Sequence, residues 1–213
     1  MGTSGTGFLN FASLVGGGGV SLEWTGKARE GALDGMVGTK VELRRYRMSN
    51  ASSIYQWRHD PATTLWMGRR FRYLPTMDEV TASLGRVMEG VDPHAEFFAI
   101  SHPASHEYLG GIDLTSIDDI DRNAVLSVVV GNGKHRGKGF GSEAISLLLG
   151  YAFRVRNLHK VSLTVGAENL PAVRCYQRVG FREEGRQRDH CLVHGRFSDL
   201  LMMSVLESEF GGA

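Results

Sequence analysis

Hydrophobic and polar residues follow two different periods in the first half of the patterned region. Residues 40–44 alternate, which predicts a strand, whereas the apolar spacing over residues 50–58 predicts a helix. This helix should end near Asp60, because a residue that precedes proline avoids the helical conformation. The capping-box sequence Thr76–Glu79 predicts a second helix that runs to about Gly90.

The second half alternates strands with helices. Residues 124–130 are β-branched and apolar on both faces, which is typical of a strand in the centre of a sheet. An apolar stripe predicts a helix over 142–155, and Pro171 suits the first turn of a helix over 171–179. Further strands are predicted over residues 96–101, 108–117, 160–165, 181–190 and 196–205. This order predicts an α/β (α+β) domain on a single mixed β-sheet.

The first 35 residues differ from the rest, because they are rich in Gly, Ser and Thr and show neither period. Such a segment buries little apolar surface, so the entropy cost of ordering it is poorly offset. We expect a flexible extension over residues 1–35 and a domain over 36–213, with Met36 as a hypothetical natural start. A partner-binding or oligomer-bridging arm is the alternative interpretation, which leaves a homo-oligomer open.

Composition excludes several classes of protein. The chain has 24 Lys and Arg against 23 Asp and Glu, so its charge predicts neither a nucleic-acid partner nor an anionic membrane. No apolar stretch is long enough to cross a bilayer, and the N-terminal residues lack the basic flank of a signal peptide. Cys175 and Cys191 form no disulfide framework, which indicates reduced thiols in a cytoplasmic protein.

A basic, glycine-rich segment, Arg136–Gly141, lies where a predicted helix begins. A helix N-terminus offers unpaired N–H groups and partial positive charge, so it binds pyrophosphate when the backbone can approach closely. Gly137 and Gly139 remove side chains that would block this approach, and Lys138 adds charge. A dinucleotide site is the competing interpretation, but it requires a tight strand-to-glycine turn and an acidic residue about 20 positions later. A solvent loop without function is the third interpretation.

A second motif follows the next predicted strand and contains Asn169, Ala172, Tyr176, Gly180 and Phe181. Together with Arg136, Gly139 and Gly141, it resembles the paired motifs of the GCN5-related N-acetyltransferase family. In that family an R/Q-x-x-G-x-G/A loop precedes an N-x-x-A-x-x-x-Y-x-x-x-G-F stretch. The resemblance covers roughly residues 38–207 and is greatest to the branch of ribosomal-protein N-terminal and spermidine acetyltransferases. Two ordered motifs are more specific than either one alone.

The resemblance implies a GNAT fold in which the strands ending at Val130 and spanning 160–165 splay apart, with helices on both faces of the sheet. The pantetheine arm of acetyl-CoA would lie between them, against main-chain groups of Val128 and Val130, and one strand N–H would be the oxyanion donor. Asn169 would contact this arm, and Tyr176 would act as the general acid. The pyrophosphate would be bound by Arg136, Gly137, Lys138, Gly139, Phe140, Gly141 and Ser142.

The implied enzyme transfers an acetyl group from acetyl-CoA to a primary amine by direct attack in a ternary complex. The acceptor would be a protein N-terminus, a polyamine or another small amine. Some members of the branch carry a glutamate where Val125 stands, so no base is visible there. Glu96, Asp113 and His190 are alternative proton acceptors. A non-catalytic acyl-CoA-binding sensor or assembly module is therefore the second hypothesis.

Two other chemistries are less well supported by the residues. Cys175 lies next to Tyr176, but free cysteines are usually small buried hydrophobic residues rather than nucleophiles. His190, Cys191 and His194 resemble zinc ligands, but they alternate faces on a predicted strand and lack a second ligand pair. We therefore predict no metal site.

The acceptor side is the least specified part of the sequence. The resemblance implies that the first two helices and the last hairpin build it, which corresponds to residues 50–75 and 188–197. These segments mix aromatic and charged side chains in a way that suits many amines, and they include Trp57, Trp66, Tyr73, Asp189 and His190.

Overall fold

The computed structural model describes residues 12–13, 36–68, 71 and 73–211. The predicted flexible extension lies outside these residues, apart from the two-residue strand Ala12–Ser13. The domain boundary at residue 36 therefore stays a prediction.

The elements follow the predicted order closely. The strands are β1 Ala12–Ser13, β2 Met36–Val37, β3 Glu42–Arg44, β4 Glu96–Ser101, β5 Tyr108–Asp118, β6 Asn123–Val130, β7 Lys160–Gly166, β8 Arg182–Val193 and β9 Arg196–Leu206. The α-helices are α1 Ala51–Arg58, α2 Pro61–Thr64, α3 Met77–Glu89, α4 Phe140–Arg154 and α5 Leu170–Val179. Short 3₁₀ turns span Met48–Asn50, Gly133–His135 and Glu207–Glu209.

One mixed sheet contains all of the described strands. Its order is β2-β3-β4-β5-β6-β7-β9-β8, with β1 placed beside β6. Neighbouring strands are antiparallel except for β6–β7 and β1–β6, which are parallel. The prediction of a single mixed sheet is confirmed.

Local capping chemistry explains where the first helices begin and end. The Thr76 hydroxyl accepts from the Glu79 N–H at 3.2 Å, and the Glu79 carboxylate accepts from the Thr76 N–H at 2.7 Å. Gly90 ends α3 with φ 63°, a left-handed conformation that glycine adopts without strain. Asp60 ends the α1 region as predicted, but it also caps the unpredicted helix α2. Pro61 stands at the start of that helix, where no N–H is needed.

Helices cover both faces of the sheet, as the resemblance implies. Helices α4 and α5 pack on one face, in a buried cluster that includes Ile112, Val128, Leu148, Val165 and Tyr176. On the other face, side chains of α1 and the segment after α2 pack against β6, in a cluster of Trp57, Met67, Phe71 and Val129. Helix α3 packs on α1 through Ala51, Val80 and Leu84.

A buried carboxylate fixes the start of α4 to the strand β3 region. Glu143 is 1% exposed and accepts the backbone N–H groups of Thr39 (2.9 Å), Lys40 (2.7 Å) and Val41 (2.8 Å). A Cβ on Gly38 would lie 2.8 Å from the Glu143 carboxyl carbon, so glycine permits this close approach. These contacts anchor the helix whose N-terminus carries the glycine-rich loop.

Candidate active site

The two parallel strands at the centre of the sheet separate part of the way along. Pairing between β6 and β7 joins residues 123–125 to residues 160–162 and then stops. Strand β6 nevertheless continues to Val130, and β7 continues to Gly166. The implied splay is therefore present, and it opens a cleft between the carboxyl ends of the two strands.

The main chain of β6 faces this cleft at the expected residues. The Val125 carbonyl accepts from Thr115 Oγ1 on β5 at 3.4 Å, whereas the Ala124 carbonyl accepts from Ser162 Oγ on β7 at 3.3 Å. Successive residues of a strand thus direct their polar groups to opposite sides. The alternation directs the main chain of the later even-numbered residues toward the cleft, namely Val128 and Val130.

An extended peptide already lies against this edge of β6. Ala12–Ser13 pairs in parallel with Val128 and Val129, beyond the point where the β6–β7 ladder has ended. The edge thus accepts a main-chain partner that carries amide groups. The amides of a pantetheine arm have the same hydrogen-bonding chemistry.

The glycine-rich loop leads directly into α4. Gly139 is the N-cap with φ 84°, and the helix begins at Phe140, two residues earlier than predicted. Gly137 is exposed with φ 72°, so both glycines adopt the left-handed conformation that other residues rarely tolerate. The first N–H groups of α4, including those of Gly141 and Ser142, have no acceptor within the helix itself. The loop therefore presents donors at a helix N-terminus, as the anion-site interpretation requires.

Lysines supply the positive charge around this loop. Lys134 and Lys138 are exposed, whereas His135 is buried and packs edge-on against Phe140 with ring centroids 6.1 Å apart. Burial lowers the pKa of His135, so this imidazole favours its neutral form. Positive charge near the helix N-terminus thus resides mainly on lysine side chains.

Arg136 has a role that sequence reasoning missed. Its guanidinium donates to the Ala62 carbonyl at 3.1 Å and to Thr63 Oγ1 at 2.5 Å. These bonds tie the glycine-rich loop to α2, which is more than 70 residues away in sequence. The expected contact of the Arg136 side chain with phosphate stays a prediction, because two of its N–H groups already have protein acceptors.

The segment around α2 closes the open end of the cleft. Thr63 is fully buried, and its Oγ1 lies 3.1 Å from the carbonyl oxygen of Gly131, just after β6. Trp66 packs over Gly166 at the end of β7, where a Cβ would lie 2.9 Å from Cε3 of the indole. The segment therefore bridges the ends of both splayed strands. A glycine at a strand end signals such a close approach, but the sequence does not identify its partner.

Tyr176 lies in the core beside the cleft strands. It is 1% exposed, contacts Phe181 edge-to-face at 5.8 Å, and belongs to the same buried cluster as Val128 and Val165. Burial raises the pKa of Tyr176 well above that of a free phenol. The phenol therefore keeps its proton at neutral pH, as a proton donor must.

Asn169 caps α5 with its side-chain oxygen, whereas its side-chain nitrogen Nδ2 is not used in the cap. Its Oδ1 accepts from the Ala172 N–H at 3.4 Å, which satisfies a donor of the first helical turn. The residue is 4% exposed, and among the described residues Nδ2 has no hydrogen-bond partner. A buried amide donor without an acceptor fits a ligand that carries carbonyl oxygens.

The three alternative proton acceptors lie in different surroundings. Glu96 forms an ion pair with Arg156 at 3.3 Å, and His190 is exposed in the irregular part of the β8–β9 hairpin. Asp113 is buried in β5 and pairs across the sheet with Ser127 of β6. Only Asp113 of these three lies beside the strand that forms the cleft.

The remaining chemistries gain no support from the described part of the chain. Burial raises the pKa of the Cys175 thiol to about 11, which disfavours a thiolate nucleophile. Among the described residues, no group of three His, Cys, Asp or Glu side chains is placed to hold a metal ion. None of the helices described for this chain is both long and apolar enough to span a membrane.

Comparison with known proteins identifies the family. The chain matches the profile of the Acetyltransferase (GNAT) domain over residues 40–182. The protein belongs to this family. It is an N-acetyltransferase that uses acetyl-CoA and acts on an amine.

Its relatives include proteins named as spermidine acetyltransferases. The chain is 33% identical to the spermidine N(1)-acetyltransferase of Vibrio cholerae over 120 residues, which are 56% of this chain and 69% of the relative. A crystal structure of the Vibrio cholerae spermidine N-acetyltransferase with CoA and spermine superposes with a TM-score of 0.71 at 26% identity, covering 81% of this chain and 98% of that one. A dodecameric structure of that enzyme gives a TM-score of 0.68 at 26% identity, covering 82% and 98%.

Proposed function

We propose that this protein transfers the acetyl group of acetyl-CoA to a primary amine by direct attack within the β6–β7 cleft. The observation that carries the proposal is the stretch of β6 beyond Val125, which does not pair with β7 and faces the cleft with main-chain donors and acceptors. A helix N-terminus with two left-handed glycines stands at the end of this stretch. Both features are needed by a ligand that combines amide groups with a pyrophosphate.

The residues around the cleft suit acetyl-CoA. Val128 and Val130 would hydrogen-bond to the pantetheine arm, and the buried Nδ2 of Asn169 would donate to one of its carbonyl oxygens. Residues 137–142 would bind the pyrophosphate through main-chain N–H groups. Because Ala12–Ser13 pairs with the same edge of β6, acetyl-CoA would take the place of this short strand.

The chain's own groups account for the chemistry. An amine is mostly protonated at neutral pH, so it must lose a proton before it attacks the thioester. A β6 main-chain N–H facing the cleft would stabilise the oxyanion that then develops. The departing thiolate would take a proton from Tyr176, which burial keeps protonated. No covalent enzyme intermediate is required.

The acceptor is a primary amine on a polyamine, a protein N-terminus or another small molecule. The relative from Vibrio cholerae, named as a spermidine acetyltransferase, supports the polyamine class. The dodecameric relative supports a homo-oligomer, and the absence of a disulfide at Cys175 and Cys191 supports a cytoplasmic location.

Substituting the proposed acid tests the mechanism. Tyr176→Phe should lower kcat by about 10²-fold, because the thiolate would leave without a positioned proton donor. The KM for acetyl-CoA should change little. Tyr151→Phe is the matched control, since Tyr151 is another buried tyrosine of the same core and has no proposed role. Equal turnover by Tyr176→Phe and Tyr151→Phe would show that the phenol is not the acid.

A non-catalytic acyl-CoA-binding module is the second candidate function. Val125 favours it, because the family resemblance implies a glutamate there in some members and this chain has none. Thiol release from acetyl-CoA in the presence of an amine panel separates the two functions. Tight acetyl-CoA binding without turnover on any amine would favour the module.

A further inference from the structure

The carboxyl group of Asp113 is buried in the middle of the sheet, and the steps proposed above do not use it. Asp113 of β5 is 1% exposed, and its hydrogen-bonding neighbour is the neutral Ser127 hydroxyl rather than a cation. Aspartate is rarely buried to this extent unless it is paired with a charge. A fold that retains such a group accepts a cost in stability, which suggests that the carboxyl group has a use.

The cross-strand neighbour of Asp113 lies at the narrow end of the cleft. Asp113 stands directly opposite Ser127 of β6, so the two side chains share one face of the sheet. Ser127 follows Val125 by two residues, and Val125 is the last residue of β6 that pairs with β7. The Asp113–Ser127 pair therefore occupies the level at which the strands begin to separate.

The groups that surround Asp113 leave its charge largely uncompensated. Phe97 is opposite on β4, and Tyr46 and Tyr108 are half-buried tyrosines on the same side, with Arg44 beside them. Burial raises the pKa of Asp113 well above its usual range, and the hydrogen bond with Ser127 offsets only part of this effect. Such a carboxyl group exchanges its proton at a higher pH than a surface aspartate does.

We propose that Asp113 accepts, through the Ser127 hydroxyl, the proton that the acceptor ammonium loses before it attacks. This inference rests on the proposed acetyl transfer. The ammonium N–H bond breaks and its proton passes to Ser127 Oγ, while the Ser127 O–H proton passes to the Asp113 carboxylate. The products of this step are a neutral amine, an intact serine and a neutral carboxyl group.

The later steps complete the proton balance. The amine nitrogen forms the new bond to the acetyl carbon, and the bond from that carbon to sulfur breaks. Tyr176 protonates the thiolate and regains a proton from the nitrogen of the new amide. The Asp113 proton then leaves to solvent, so one turnover releases CoA thiol, the amide and one proton. Asp113 thus acts through Ser127 and is a positioning residue in this relay.

The pH dependence of turnover tests the relay. Because Asp113 must be ionised to accept a proton, kcat/KM of the full-length protein for a primary amine should rise with pH through the raised pKa. Asp113→Asn should abolish the part of this rise in kcat/KM that comes from the carboxyl group. It should also lower kcat by about 10²-fold, with acetyl-CoA affinity unchanged. Ser127→Ala should also lower kcat, because the Asp113 carboxylate then has no hydroxyl through which to accept a proton from the amine.

A matched substitution on the same strand controls for general effects. Asp118→Asn exchanges the same groups at the far end of β5, where the Asp118 carboxylate accepts the N–H groups of Ile120 and Asp121. Asparagine retains a carbonyl oxygen there, so the pH profile should stay that of the wild type. If Asp113→Asn keeps the wild-type pH profile, Asp113 is only structural and the relay is wrong.

Two further readouts keep the test decisive. If Asp113→Asn does not fold, Ser127→Ala alone tests the relay. A wild-type pH profile of turnover for Ser127→Ala overturns the relay. Thermal unfolding measured as a function of pH tests the raised pKa of Asp113 independently of turnover. A raised pKa in the folded state means that stability falls as pH rises from the unfolded pKa toward the folded one, so Asp113→Asn should gain stability relative to wild type over this range. Wild-type protein that binds acetyl-CoA but turns over no amine would refute the proposed function itself.

Discussion

The proposed acetyl-CoA side of the cleft comes from one continuous stretch, residues 123–181, whereas the proposed amine side is assembled from distant parts of the chain. In the first region, strand, loop, helix, strand and helix follow one another with short connections. In the second, the α2 segment reaches β6 through Thr63 and reaches β7 through Trp66. The first region therefore depends on local backbone geometry, and the second depends on long-range side-chain contacts.

This difference affects what a substitution should change. Arg136 connects the two regions, because its main chain opens the glycine-rich loop while its guanidinium holds Ala62 and Thr63. Changes in the local region should affect acetyl-CoA binding and leave the amine side intact. Changes in the assembled region should do the reverse.

The largest effect is expected at the helix N-terminus. Gly139→Glu places a side chain at a left-handed position and adds a negative charge where the pyrophosphate would bind. We expect acetyl-CoA affinity, measured by calorimetry, to fall by more than about 100-fold, a loss of roughly 3 kcal/mol.

Gly133→Glu is the matched control for this change. It adds the same charge in the 3₁₀ turn before the loop, where a Cβ meets no atom within 4 Å among the described residues and no positive φ is required. We expect a loss of about fivefold or less, because an exposed charge there is screened by solvent. Similar losses in both variants would mean that charge alone, rather than the helix N-terminus, governs binding.

An intermediate effect is expected where α2 meets β7. Gly166→Ala should displace the Trp66 indole, since the new methyl group would lie 2.9 Å from Cε3. We expect the KM for the amine to rise by about tenfold, in line with a 1–3 kcal/mol cost of overpacking. The KM for acetyl-CoA should stay within about twofold, because this contact closes the amine side.

The double variant Gly166→Ala/Trp66→Phe tests whether relieving this close contact restores amine binding. The smaller ring makes room for the methyl group, so it should restore part of the amine affinity. Steady-state kinetics of both variants gives the answer. A rise in the KM for acetyl-CoA with an unchanged KM for the amine would reverse the proposed assignment of the two sides.

The smallest effect is expected at Asn169, which serves both the fold and the ligand. Asn169→Asp keeps the Oδ1 acceptor that caps α5 but removes the Nδ2 donor. It should weaken acetyl-CoA binding by about 2–10-fold, the equivalent of one hydrogen bond, with little change in Tm. Asn169→Ala should weaken binding similarly and also lower stability by about 1 kcal/mol through loss of the cap. Wild-type acetyl-CoA affinity in Asn169→Asp would limit the residue to capping.

Much of the fold follows from local sequence signals. The capping box predicts α3 to within one residue at its start, and His194-Gly195 marks the turn of the final hairpin. The early start of α4 escapes prediction because Gly139 itself is the N-cap, without a side chain to signal it. Helix α2 escapes because a proline after Asp60 ends one helix and begins another.

The candidate site also has one part that local sequence signals predict and another part that they do not. The glycine-rich loop and the Asn169–Phe181 motif lie in sequence at a spacing that family resemblance connects with acetyl-CoA. Nothing local predicts that Thr63 binds Arg136 or that Asp113 is enclosed beneath half-buried tyrosines. Such contacts depend on which strands become neighbours, and sequence patterns do not specify that at the level of single side chains.

Sequence alone was sufficient for the order of most elements, the mixed sheet, the family and a glycine-rich loop at a helix N-terminus. These features depend on hydrophobic period, glycine dihedral freedom and helix capping, which act over a few residues. The tertiary structure was needed for the point where β6 leaves β7, the second role of Arg136, the closure by Trp66 and the burial of Asp113. These features depend on close packing between distant segments, because burial and the pKa shifts it causes exist only once the chain has folded.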